Sequence, residues 1–96
     1  MVKHIVCFKL IDNSPEKCEE MKDIFLSMRG KVPQALDIQV GVDFLHSPRS
    51  FDVILEVLVN DRKALDLYQE DPYHVSVVKK YVHSVIEKSV AVDYEV

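Results

Sequence analysis

Ninety-six residues, 48% of them hydrophobic, make one domain over residues 1–96 with a thin core and no linker, repeat or low-complexity segment. Twelve basic against sixteen acidic residues give a net charge of −4, with no basic cluster beyond pairs such as Lys79-Lys80, which argues against nucleic acid or an anionic membrane as a partner. No apolar run is long enough to span a bilayer, and Met1 leads into a strand pattern rather than a signal-peptide core, so a cytoplasmic location is expected.

Residues 2–11 alternate, with Val2, His4, Val6, Phe8 and Leu10 on one face and Lys3, Ile5, Cys7, Lys9 and Ile11 on the other, which is the period of a strand. Asn13-Ser14-Pro15 then opens a helix that carries Cys18, Met21, Ile24, Phe25 and Met28 at helical spacing, with Gly30 placed to end it. After the Val32-Pro33 break a second strand runs from Leu36 to Val42, where Gly41 marks either a bulge or a close backbone approach. Asp43 to Ser50 reads as a mobile lid or a plain connection. The third strand, Phe51 to Val59, sets Val53, Leu55, Val57 and Val59 on one face and Ile54 and Leu58 beside Glu56 on the other, so both faces want cover.

Asn60-Asp61 caps a short helix with Ala64, Leu65 and Tyr68. Asp71-Pro72 then restarts the helix, since the carboxylate can accept from orphan amides and a proline at the first helical position has no N–H to lose. This places His74 in the first turn and predicts an inward stripe of His74, Val78, Tyr81 and Val85, although the valines lower helix propensity. A last strand over Ser89 to Tyr94 sets Val90, Val92 and Tyr94 against Ala91 and Asp93.

The order βαββαβ predicts an α+β, ferredoxin-like fold: a four-stranded antiparallel sheet with helices on one face. The other face still carries Ile5, Cys7, Ile54 and Leu58. Two such sheets packing face to face would bury them, which predicts a homodimer through the sheet faces, a dimeric α+β barrel.

At the positive end of a helix dipole the His74 imidazole tends to stay neutral, the form that accepts a proton or polarises a carbonyl, and Tyr68 in the preceding helix lies near it in sequence. A histidine at a helix start also serves simply as a packed or capping group, so both readings stand. His46, in a loop, and His83, late in a helix, read as solvated. Cys7 and Cys18 lack CxxC spacing and read as buried inert thiols, and two Cys with four scattered His assemble no zinc site, so neither cofactor nor metal ligands are identified.

Val2-Lys3-His4-Ile5-Val6, Tyr68 through Asp71-Pro72-Tyr73-His74-Val75, and Val92-Asp93-Tyr94 together resemble the stress-responsive A/B barrel domain (Dabb) family, and the resemblance runs end to end. It implies the same dimeric α+β barrel. Most members have no established reaction. Olivetolic acid cyclase, a plant polyketide cyclase, uses a Tyr and a His matching Tyr68 and His74 to close an aromatic ring by aldol chemistry, and its strand His matches His4. The resemblance therefore implies catalytic roles for His74, Tyr68 and His4: a base removes an acidic proton between carbonyls while a phenol or imidazole donor steadies the enolate. The cyclase has a further His where this chain carries Val53, so its substrate does not carry over.

On this reading Phe8, Phe25 and Val53 wall a pocket between helices and sheet that takes a small apolar carbonyl or polyketide-like ligand, with cofactor-free acid/base chemistry. The alternatives are a non-catalytic, stress-related oligomeric protein and a cofactor-independent monooxygenase of the wider dimeric α+β barrel group. The absence of Trp and of an Asn cluster in the strands weighs against the last.

Overall fold

Strand β1 (Val2–Leu10) alternates buried and half-buried residues along its whole length, as its sequence period requires. In the computed structural model, which describes residues Met1–Val96, β1 lies between β3 (Val53–Val59) and β4 (Ile86–Glu95), and β2 (Asp37–Val42) pairs with the far side of β3. Every pairing is antiparallel and the strand order is β2-β3-β1-β4. With helices α1 (Pro15–Leu26), α2 (Arg62–Glu70) and α3 (Lys80–Val85), this is the ferredoxin-like α+β fold.

Local chemistry starts and stops these elements. The Ser14 hydroxyl caps α1 by accepting from the Lys17 amide, Pro15 follows at the first turn, and the Asp61 carboxylate caps α2 by accepting from the Ala64 amide at 2.7 Å. Gly30, at φ +76°, turns the chain after α1 in a conformation that a side chain would strain. The β2–β3 register runs unbroken through Gly41, where an added Cβ would lie 3.0 Å from Ile54 Cγ2; the glycine serves a close approach rather than a bulge.

The inner sheet face packs Phe8, Ile38, Leu55 and Val57 against Met21, Phe25 and Met28 of the first helical segment and Tyr68 of α2. The outer face has no helix over it. Ile5, Cys7, Ile54 and Leu58 are half-buried there, and the register sets Val90, Val92 and Tyr94 of β4 beside them on the same face, 53%, 62% and 43% exposed. Burial raises the pKa of both thiols, Cys18 within the core and Cys7 on the outer face. No helix is long and apolar enough to cross a membrane.

Two elements depart from the sequence reading. Strand β4 begins at Ile86, directly at the end of α3, rather than at Ser89, because no Gly or Pro separates the two. The segment His74–Lys79 is π-helical. Its three valines crowd the preceding turn of an α-helix, and the wider winding carries the buried stripe along His74, Val78 and Val82. Tyr81 and Val85, expected on that stripe, are only half-buried at its flank.

Candidate functional site

Asp71 sets the phase of the second helical stretch. Its carboxylate accepts from the amides of Tyr73 and His74, at 2.9 and 3.1 Å, so the cap-and-proline start is realised and His74 falls in the first turn. The His74 ring is buried and turns back onto α2, with Nδ1 2.9 Å from the Tyr68 carbonyl. A carbonyl only accepts, so Nδ1 carries the proton and the lone pair of the neutral ring is on Nε2. Nε2 has no hydrogen-bond partner within the chain and is not sealed in the core. Burial, first, and then the positive charge of Lys79 and the His4 ring lower the pKa of His74, which keeps the imidazole neutral near pH 7. The direction matches the sequence reading, but desolvation rather than the helix terminus is the main cause.

Tyr68 is fully buried. Its ring stacks on His74, with centroids 4.3 Å apart, and meets the edge of His4 at 5.6 Å. The hydroxyl, however, faces Met28 Sδ at 3.8 Å, a weak acceptor inside the core, and burial raises its pKa, so the phenol stays protonated. Tyr68 thus holds His74 by its carbonyl and ring, and its hydroxyl is spent on Met28 rather than on the imidazole.

His4 is the third residue of β1, on the inner face. The antiparallel register sets it opposite Asp93 of β4, and the Asp93 carboxylate holds Nδ1 of His4. A carboxylate on one ring nitrogen orients the imidazole and leaves Nε2 to meet whatever occupies the space beside it.

These three side chains line one cleft of about 270 Å³ between the inner face of β1 and the helical stretch 74–85. Its walls are mainly apolar, with Val6, Phe8, Phe25, Leu55, Val78 and Val82 contributing, so Phe8 and Phe25 sit where the sequence reading put them. Val53 does not line it. This residue is 2% exposed, pairs with Phe8 and Val42, and packs in the core. His46 is exposed in its loop, where its amide donates to Asp43 at 2.8 Å. His83 is exposed too, but it forms part of the cleft mouth with Lys79, Gln69 and Ser89.

Sequence reasoning did not single out Asp93, Lys79 or His83 for this site. A signal existed for Asp93: counting an antiparallel register between the first and last strands pairs it with His4. Lys79 and His83 gave none, because the winding of the π-helical segment sets their direction. No three His, Cys, Asp or Glu side chains gather where they could hold a metal ion.

The model of the family described as stress responsive A/B barrel domain matches residues 2–96. Among solved structures, a dimeric protein of unknown function and ferredoxin-like fold from Bacteroides fragilis is 27% identical, with a TM-score of 0.81 over 99% of this chain and 95% of that one. A Dabb family protein with a ferredoxin-like fold from Mesorhizobium loti is 20% identical, with a TM-score of 0.75 over 99% and 95%. A hydroxynitrile lyase from Passiflora edulis is 18% identical, with a TM-score of 0.80 over 99% and 92%. No curated protein matches the sequence.

Proposed function

The chain belongs to the stress responsive A/B barrel domain family, and from that premise we propose that its inner cleft binds a small apolar carbonyl compound on which His74 acts as a cofactor-free base. One observation carries the reading: a buried imidazole whose Nδ1–H is tied to the Tyr68 carbonyl and whose Nε2, left without a partner, borders an apolar cleft. A lowered pKa keeps that nitrogen able to accept a proton near neutrality. A ligand carbon flanked by carbonyls would lose its proton to Nε2, and the His4 imidazolium, paired through Nδ1–H with the Asp93 carboxylate, would donate its Nε2–H to the carbonyl oxygen from the β1 side. Tyr68 serves as the platform that fixes the His74 ring. The hydroxynitrile lyase of Passiflora edulis supports reading this fold as one that can house a lyase site.

The proposal includes a homodimer in which the outer sheet faces of two copies meet as a barrel, supported by the apolar residues on that face and by the dimeric Bacteroides fragilis protein. The competing reading is a non-catalytic oligomeric protein in which His74 and Tyr68 only fill the core, and the committed Tyr68 hydroxyl favours it.

A His74→Ala variant separates the two. The proposal expects it to fold and to lose binding or turnover of small ketones and keto acids, followed by ligand-observed NMR and an absorbance assay for enolisation. Loss of stability with unchanged binding would leave only the structural role.

A further inference from the structure

The charge around the cleft is one-sided. His4, His74, Lys79 and His83 contribute to its lining and no carboxylate does, in a chain with sixteen acidic residues against twelve basic. Of the acids that adjoin these groups, Asp93 is taken up by Nδ1 of His4 and Asp71 by the amides of Tyr73 and His74, and neither pairs with Lys79. Since His74 is held neutral, the fixed charge at this end of the cleft is that of Lys79.

Lys79 closes the π-helical segment and is half-buried. Its Nζ donates to the Gln69 carbonyl at 2.9 Å, near the end of α2, which anchors the ammonium at the rim and leaves two of its three N–H groups free. None of the ion pairs in the protein involves it. An anchored cation without a counter-charge, next to the apolar wall of Phe8, Phe25 and Val78, complements a molecule that is apolar along its length and negative at one end.

We infer that the cleft takes an apolar monocarboxylic acid, with its hydrocarbon part against Phe8, Phe25 and Val78 and its carboxylate on Lys79 Nζ. The inference rests on the cleft being a ligand site and adds the charge of the ligand. The small volume restricts the acid to about one ring with a short chain, at the lower end of ligand pockets. His74 Nε2, on the same side of the cleft, would then face the carbon chain near its acid end.

Three probes of one shape test the charge: phenylpropanoate, phenylpropanol and phenylpropylammonium, each titrated while the His74 ring signals are followed by NMR. The acid should bind at least about tenfold more tightly than the alcohol, the size of one charge-assisted hydrogen bond, and the ammonium more weakly than either. Lys79→Gln keeps a donor for the Gln69 carbonyl and removes the charge, so it should bring the acid down to the level of the alcohol. Lys79→Glu should invert the order of acid and ammonium. Acid and alcohol binding equally to the unmodified protein, with both shifting the His74 signals, would overturn the charge inference and leave the cleft as a ligand site. If none of the three disturbs His74 at millimolar concentration, the reading of the cleft as a ligand site fails as well.

Discussion

The two faces of one sheet meet different fates. On β3 the inner residues Val53, Leu55, Val57 and Val59 are 2% exposed or less, whereas their outer neighbours Ile54 and Leu58 remain half-buried, although all six are branched aliphatic side chains. The helices lie over one face only, so side chains with equal appetite for burial end up unequally served. The inner face is completed by this chain's own helices and encloses a cleft with three histidines. The outer face, extended by Val90, Val92 and Tyr94, is completed in our proposal by a second copy. Apolar content therefore counts the surface that must be covered without saying which element covers it.

The contrast breaks most sharply by placing one charge on each face. Val57→Asp, on the inner face at full burial, should leave an unpaired carboxylate in the core at a cost of about 3–5 kcal/mol, a large part of what a small domain has, and circular dichroism should find the chain unfolded or nearly so. Ile54→Asp or Leu58→Asp, on the outer face, should leave the circular dichroism spectrum native while weakening association at least about a hundredfold in sedimentation equilibrium, the equivalent of about 3 kcal/mol. An unmodified protein that sediments as a monomer at micromolar concentration would remove the proposed difference between the faces.

Within the inner face, His74→Ala removes a buried hydrogen bond and some packing, and its thermal unfolding should report about 1–2 kcal/mol lost. The same residue makes stability depend on pH. Its folded pKa is lowered, so below the unfolded value of about 6.5 the unfolded chain takes up a proton that the folded one refuses. Stability contributed at higher pH is then lost as pH falls from about 6.5 through the lowered folded value. Denaturant unfolding at stepped pH should show this slope, and His74→Asn should flatten it. Binding that needs neutral His74 should likewise persist somewhat below pH 6.5.

The smallest effect belongs to the edge of the cleft. The Asp93 carboxylate is 41% exposed, and Asp93→Asn should cost less than about 1 kcal/mol of stability, as solvent screening limits such pairs. Its signature should instead be a changed tautomer of His4, read from nitrogen chemical shifts. If those shifts stay the same, the carboxylate does not orient the ring.

Much of the fold was legible along the chain, since alternation in β1 and β3, the Ser14-Pro15 start of α1 and the Asp71-Pro72 restart are local signals that the structure realises. The site was legible in part. His4, Phe8, Phe25, Tyr68 and His74 do come together, while Val53 packs in the core without lining the cleft and the Tyr68 hydroxyl turns to Met28. Those two depend on distances between elements, which no local pattern carries.

By itself the sequence determined which residues would seek burial, where helices would begin, and that His74 would stand in a first turn, because each rests on periodicity or on one backbone group meeting a nearby side chain. Only the tertiary structure decided that Asp93 would hold His4, that a π-helical segment would move the buried stripe to Val82, and that Lys79 would stand uncompensated at the cleft. Each of these depends on the register between β1 and β4 or on the winding of the segment after Pro72. Both are set by long-range packing, with which the local preferences must agree but which they do not specify.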